Sequence, residues 1–390
     1  MSRDEVSRER FGEVRSMLQR GPGEDRGAWA RTLWSMLETE HAFGPQGYAE
    51  TWVPYLAGFP SYWAEPLPMR LHSLRDLEYM CEVAPFATFE LWLGGHRAGK
   101  DELYAVWDSP RSAQLGAFWI AGFELGDEDV RRWAATAPMP RLDSLTMGTL
   151  GLSPDGAKAL AGSAIVEGLR ELIWGDNPCF SDAMERLARD EATRRLEVWS
   201  FRESGLTDAG VVPLAQAHAP SLRAFRASTG ALGPEGAARL GRARWIEGLE
   251  VLELSNNALG DEGVRELVKT WKGEKPRHLK RLSLGLNGIG PGGLRALLDD
   301  AWVGSLEDLA LHHSALGDEG AHLIAECDAL TGLRGLDLSS NGIGFDGFTA
   351  LANAPHLASL ERLTIWGNVR DDRSFEVLRT SPYLKHLYGG

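Results

Sequence analysis

Apolar residues recur along most of the chain in one short pattern. The clearest copy spans residues 249–267 and reads L-x-x-L-x-L-x-x-N-x-L, with Asn257 at its ninth position. Apolar residues at positions one, four and six predict a short strand whose alternate side chains enter a core. The asparagine amide can satisfy backbone groups where the chain turns after the strand. The pattern therefore predicts a half-buried strand followed by a turn.

The pattern repeats at nearly constant intervals, most of them 27 residues. Regular self-similarity at this period predicts a repeat array, whose core grows by addition of units. This explains how a chain of 390 residues can exceed the size of one ordinary core. The first apolar positions are Phe86, Leu115, Leu142, Leu169, Leu196, Leu222, Leu249, Leu279, Leu306, Leu333 and Leu360, with a partial copy at Leu384.

A helix is predicted after each strand. The connection reads Leu-Gly or Ile-Gly, then aspartate or proline, and a glycine two residues later, as at residues 259–263 and 232–236. Proline and acidic residues both suit the first turn of a helix. We expect glycines such as Gly236 and Gly263 to let the helix approach the sheet closely. Stacked units then form a parallel β-sheet on a concave face with α-helices on a convex face, an α/β horseshoe.

Residues 1–85 do not follow the repeat. Helices are predicted at residues 4–19 and 25–41, and a Pro- and Trp-rich connection follows at residues 44–68. We interpret this region as an N-terminal helical cap that covers the exposed end of the array, because a first repeat has no neighbour. The predicted domains are therefore a capping region, residues 1–85, and a repeat domain of about eleven units, residues 86–390.

From residue 86 onwards the chain resembles the leucine-rich repeat proteins, specifically the ribonuclease-inhibitor-like subclass with helix-backed repeats. The resemblance implies a non-catalytic protein-binding role. Trp174 and Trp199 replace core leucines, and the asparagine position holds another residue in five repeats: Phe123, Leu150, Ser204, Gly230 and Ser314.

A partner is expected on the concave face, at the variable third, fifth, seventh and eighth positions of each repeat. Exposed tryptophan and arginine are common interface anchors, and charged side chains add specificity. The candidate partner-binding residues are Trp92, Trp119, Arg202, Arg226, Glu253, Arg281, Asp308, His312, His313, Asp337 and Trp366, and Arg362 supplies further positive charge on the same face.

Charge and cysteine content narrow the classes of partner and compartment. A formal net charge of −14 argues against nucleic-acid or anionic-membrane binding and favours a basic protein partner. Three widely spaced cysteines make a disulfide framework improbable. The first residues carry too many charges for a secretory signal, and no apolar run approaches 18 residues. We therefore predict a cytoplasmic protein.

Two short motifs invite a chemical interpretation. Residues 94–100 match the phosphate-binding pattern G-x-x-x-x-G-K, but Asp101 follows where a Ser or Thr is needed to hold magnesium. His312 and His313 are adjacent, and adjacent strand residues diverge, so they do not readily share a metal ion. We therefore predict no cofactor, no metal and no catalytic residue.

Two functional hypotheses remain. The leading one is a protein-interaction scaffold. The alternative is a regulator of a partner enzyme, an inhibitor or a GTPase-activating protein that inserts a rim arginine, for which Arg97 and Arg202 are the candidates. The basic stretch at residues 270–281 is either a docking loop or a solvated connection. A final strand at residues 383–390 leaves a sheet edge, so the chain is expected to be a monomer or a weak dimer through that edge.

Overall fold

The computed structural model describes residues 70–83, 88–136, 139–271, 276–368 and 372–387. The two predicted N-terminal helices and the Pro- and Trp-rich connection lie outside the described residues, as do residues 272–275 of the basic stretch. The chain divides into two compact units, Met1–Phe123 with Ala135–Thr146 and Glu124–Ala134 with Met147–Gly390.

The described part of the first unit alternates strands and helices. Strand β1 pairs with β2, and β2 with β3, all in parallel. The boundary between the two units falls within β4. The elements are β1 (Arg70–Leu71), α1 (Leu74–Val83), β2 (Phe89–Gly94), α2 (Lys100–Asp108), β3 (Leu115–Ala121) and β4 (Ser144–Gly148).

The register of β2 corrects the start of the first repeat. Leu91 pairs with Phe118, which is the fourth position of the repeat beginning at Leu115, and a bulge lies at Phe89 and Glu90. The first repeat therefore begins at Phe89, which pairs with Leu115, three residues later than Phe86. The parallel pairing also extends to residues 70–71, which precede the predicted domain boundary; that boundary remains a prediction.

The second unit continues the same alternation. Within it, consecutive strands pair in parallel from β5–β6 through β11–β12. The predicted α/β repeat fold with a parallel sheet is confirmed. The elements are α3 (Asp127–Ala134), α4 (Pro154–Ala161), β5 (Glu171–Gly175), α5 (Ser181–Leu187), α6 (Asp190–Thr193), β6 (Val198–Ser200), α7 (Asp208–Gln216), β7 (Ala224–Arg226), α8 (Pro234–Gly241), β8 (Val251–Glu253), α9 (Gly260–Val268), β9 (Arg281–Ser283), α10 (Pro291–Leu298), β10 (Asp308–Ala310), α11 (Gly317–Glu326), β11 (Gly335–Asp337), α12 (Phe345–Ala352), β12 (Arg362–Thr364) and α13 (Asp372–Thr380).

The conserved spacing of apolar positions places one side of each strand in the core. Leu249, Leu252 and Leu254 are each fully buried, and Trp174 and Trp199 fill the places of core leucines. The residue at the eighth position has a left-handed backbone in every repeat from Leu115 to Leu360, for example Asn256 with φ of 57°. The chain therefore turns sharply at the same point of each unit.

Asparagine side chains join neighbouring repeats at that turn. Asn287 is buried; its Nδ2 donates to the carbonyls of Leu254 and Leu284, and its Oδ1 accepts from the amide of Leu259. Asn368 bonds the chain in the same way. These bonds satisfy buried backbone groups that the short strands leave unpaired.

A second link between repeats explains why aspartate and proline exchange at the helix start. The Oδ1 of Asp261 accepts from the amide of Gly290, 2.6 Å away, just before Pro291 begins the next helix. Asp208 and Asp318 bond Gly233 and Gly344 in the same way. A Cβ at Gly293 would lie 2.7 Å from the Asp261 carboxylate. Gly236 and Gly293 therefore make room for the aspartate of the preceding repeat, whereas Gly263 makes room for the Leu259 side chain, not for the sheet as expected.

The carboxyl end differs from the prediction. Residues 383–387 do not form a strand; Lys385–Leu387 is a 3₁₀ turn, Leu384 is buried, and His386 Nε2 donates to the carbonyl of Leu360. The partial repeat thus folds over the preceding unit and does not extend the sheet. The weak dimer predicted through an edge at residues 383–387 loses its structural basis.

Replacing Asn287 with alanine should lower the free energy of unfolding by about 2 kcal/mol, because it leaves buried backbone groups unpaired. Urea unfolding followed by circular dichroism measures the change. Asn353→Ala is the matched control, because Asn353 is exposed and its Nδ2 donates only to the Thr349 carbonyl at a helix end. Equal losses from the two variants would contradict this role for Asn287.

Ser314 occupies the asparagine position, and its hydroxyl is buried without a hydrogen-bond partner in the described structure. We expect Ser314→Asn to stabilise the protein by about 1 kcal/mol, because its amide can bond the turn as Asn287 and Asn341 do. Differential scanning calorimetry measures the change in melting temperature. A lower melting temperature would show that the site cannot accommodate the amide.

Candidate partner-binding surface

The candidate surface in the second unit, here called the sheet face, consists of the third-, fifth-, seventh- and eighth-position side chains of the repeats from Leu169 to Leu360. Strand alternation turns the third and fifth positions away from the core. The register aligns them in rows, so that Arg281, Asp308, Gly335 and Arg362 are neighbours on β9–β12. Variable side chains from distant parts of the sequence thus meet on one surface.

The third-position row changes character along the sheet. On β6, β7 and β8 it holds Val198, Ala224 and Val251, and on the later strands it becomes charged. The third-position row is therefore apolar on β6–β8 and carries Arg281, Asp308 and Arg362 on β9, β10 and β12.

An ion pair crosses one strand of this face. Arg362 on β12 reaches Asp308 on β10, over Gly335 on the strand between them. A Cβ on residue 335 would overlap the Asp308 carboxylate and lie 2.7 Å from the Arg362 guanidinium. Only glycine at this position leaves room for the bridge.

A depression of about 310 Å³ lies around this bridge. Its floor includes the small residues Ser283, Ala310 and Gly335. Its charged lining is made by Glu253, Arg281, Asp308, Asp337 and Arg362, all of which the sequence nominated.

The other predicted charged residues divide into paired and unpaired groups. Arg226 Nε lies 3.2 Å from the carboxylate of Glu253. Arg202 and Arg281 are exposed and have no ion pair within the part of the chain that the structure describes.

The rings of the two histidines lie edge-on to each other. Their rings lie 6.0 Å apart at 88°, and His313 has a left-handed backbone. His312 lies over Gly285, and its Nδ1 is 3.6 Å from Asp337, which also accepts from the Ser339 hydroxyl at 2.6 Å. No group of three or more metal-binding side chains occurs among the described residues.

Two large apolar side chains project from the carboxyl ends of the strands. Trp366 is 70% exposed, and Leu286 is 42% exposed. Sequence reasoning did not nominate Leu286, although it stands at a variable eighth position with a left-handed backbone. Gly335 was also missed; its signal was a glycine at a third position, which usually holds a side chain.

Trp92 and Trp119 belong to the first unit. Their rings stack with centroids 5.1 Å apart and an interplanar angle of 18°, and both remain half-exposed. The pair forms a flat apolar surface on the strands β2 and β3. Each ring covers part of its neighbour and still faces outward.

The phosphate-binding interpretation of residues 94–100 gains no support from the loop geometry. The amide of Gly95 donates to Ala121, and the amides of Arg97 and Ala98 donate to Gly94. A phosphate-binding loop needs such amides free to face the ligand. The segment is a strand-to-helix connection, and Arg97 is exposed on it.

The cysteines have the character of core residues. Burial raises the pKa of Cys179 to about 12 and that of Cys81 to about 11, and burial also raises the pKa of Cys327. Thiols with raised pKa values are weak nucleophiles near neutral pH. Cys327 directly follows α11.

The basic stretch is anchored at its start. Trp271 is buried, its Nε1 donates to the carbonyl of Gly241, and its ring packs edge-on against Trp302. Lys269 and Lys280 pair with Glu266 and Glu307.

None of the described helices is both long and apolar enough to cross a membrane.

Comparison with known proteins agrees with this geometry. A model of leucine-rich repeats matches residues 249–268 and 275–298. No match was found among curated proteins. A chain in the crystal structure of the Rad7 and Elc1 complex in yeast is 14% identical, with a TM-score of 0.50, covering 98% of this chain and 92% of that chain. An internalin (inlF) from Listeria monocytogenes is 16% identical, with a TM-score of 0.41, covering 77% and 84%. Residues 249–298 thus contain two segments similar to leucine-rich repeats, and the chain has an α/β repeat fold.

We expect Gly335→Ala to break the Asp308–Arg362 ion pair with little effect on stability, because partly exposed pairs contribute at most about 1 kcal/mol. A double-mutant cycle with Asp308→Ala and Arg362→Ala measures the coupling. The coupling should fall to about zero when the cycle is repeated in the Gly335→Ala background. An unchanged coupling would show that the bridge does not depend on Gly335.

Proposed function

We propose that this protein is a non-catalytic interaction module that binds a partner protein on the sheet face of its second unit. The observation that carries the proposal is Trp366, whose indole is 70% exposed beside the charged part of that face. Exposed tryptophans beside charged groups are frequent interface anchors. Leu286, which follows β9, adds a second exposed apolar side chain at the carboxyl ends of the strands.

The comparisons support the interaction class only. The yeast chain of similar fold comes from a complex of Rad7 and Elc1, so that protein assembles with another. We also assign this chain to the ribonuclease-inhibitor-like subclass, on its helix-backed repeats of about 27 residues. A cytoplasmic location fits its three unpaired cysteines, because a reducing compartment keeps thiols free.

A photo-crosslinking amino acid placed at Ser283 or Thr364 should capture a partner protein from a cytosolic extract, because both positions lie in the depression. The same probe at Glu262 or Arg295, exposed on helices, is the matched control. Mass spectrometry identifies the captured protein. Capture from the helix positions with equal yield would sink the proposed surface.

When Trp366→Ala is added to the crosslinking variants, their affinity for the captured partner should fall by about tenfold or more, because truncation of an anchor residue has an effect of this size. Isothermal titration calorimetry with the purified partner measures this change. Thermal unfolding of the variant should be unchanged, because the exposed indole contributes little to the core. Unaltered affinity would remove Trp366 from the interface.

A further inference from the structure

The depression on β9–β12 contains two charges that the described part of the chain does not neutralise. Arg281 is exposed and has no ion pair there, although its strand neighbour is Asp308. The carboxylate of Asp308 is occupied by Arg362. One free positive charge therefore stands at the β9 side of the depression.

The free negative charge is Asp337, on β11. Its carboxylate accepts hydrogen bonds from the amide and hydroxyl of Ser339, which are both neutral. His312 is near, but it carries a charge only when protonated. The remaining acid of the lining, Glu253, is paired with Arg226.

The register fixes the separation of these two charges. Arg281 holds the third position on β9, and Asp337 holds the fifth position two strands away. With strands about 4.8 Å apart and a rise of about 3.3 Å per residue, the two Cα atoms are about 12 Å apart. Ser283, Ala310 and Gly335 leave the floor between them low enough for a partner side chain to enter.

We propose that the depression binds a pair of oppositely charged side chains on a partner protein, an aspartate or glutamate at Arg281 and a lysine or arginine at Asp337. The proposal rests on the proposed function, because it names the chemistry of a partner on that same face. The predicted preference for a basic partner becomes a preference for a mixed-charge segment. The two contacts fix the direction in which that segment crosses the sheet.

A carboxylate suits Arg281 better than a phosphate. The depression already holds the carboxylates of Glu253, Asp308 and Asp337, which repel an incoming anion. The three acids and two arginines of the lining sum to a net charge of −1. A phosphate carries about twice the charge of a carboxylate at neutral pH, so this net negative field opposes it about twice as strongly. The guanidinium can still bind a carboxylate through two parallel hydrogen bonds.

The test uses a phage library of random 16-residue peptides, selected on the immobilised full chain. Enriched peptides are synthesised, and their affinities are measured by fluorescence anisotropy with the wild type and with Arg281→Glu and Asp337→Lys. We expect the peptides to carry both an acid and a base, and each reversal to weaken binding by about tenfold. The neutral variants Arg281→Gln and Asp337→Asn should weaken peptide binding less than the charge reversals do. They keep the proposal testable if a reversal disturbs folding.

The controls reverse exposed charges away from the sheet face. Arg242→Glu, after α8, and Glu326→Lys, in the last turn of α11, should leave peptide affinity unchanged. A peptide with its acid and base exchanged should bind the doubly reversed variant better than it binds the wild type. Replacement of the peptide acid by phosphoserine should weaken binding.

Several results would overturn the charge-pair proposal: no enriched peptide, peptides that are uniformly basic, tighter binding of phosphoserine, or affinities unchanged by all four substitutions of Arg281 and Asp337. These failures differ from failure of the proposed function. Crosslinking through Ser283 that persists in Arg281→Glu and Asp337→Lys would keep the sheet face as a docking surface and reject only the charge pair.

Discussion

Each repeat must satisfy the backbone groups that its neighbour leaves open, and the rest of the structure depends on this requirement. Most strands of the second unit are only three residues long, so many amides and carbonyls lie beyond the ladder. Buried asparagine amides bond the turn after the strand, and aspartate carboxylates bond the amide before the next helix. An unpaired buried amide costs free energy comparable to a lost hydrogen bond. The repeat spacing is therefore held by polar bonds as well as by leucine packing.

Because core and turn residues make these bonds, the residues of the sheet face can vary. The core and turn positions carry the fold, whereas side chains of the sheet face bond one another, as Asp337 does with Ser339. Small residues on this face have specific effects: Gly335 admits an ion pair between strands that are not adjacent, and Gly285 admits the His312 ring. The shape of the face thus depends on where side chains are missing as much as on which are present.

The charges of the face are balanced locally rather than by net charge. Although the whole chain is strongly acidic, four arginines lie among the nominated sheet-face residues, and two of them pair with acids beside them. Net charge describes the long-range field, but recognition at contact distance depends on the few charges left unpaired. Burial distinguishes two of the tryptophans: Trp366 projects from the surface, whereas Trp271 is buried.

The α/β repeat, the period, the helix starts and the rows of variable positions could all be predicted from the sequence, because each follows from spacing within a single unit. The sequence nominated every charged residue of the depression for the same reason. Only the tertiary structure decided which of those charges are paired, since Arg362 meets Asp308 from two repeats away across a glycine. It also decided the start of the first repeat and the turn at residues 385–387, because end units lack the neighbours that hold internal repeats in register. The local sequence pattern specifies the fold of one repeat, but contacts between repeats determine which side chains pair.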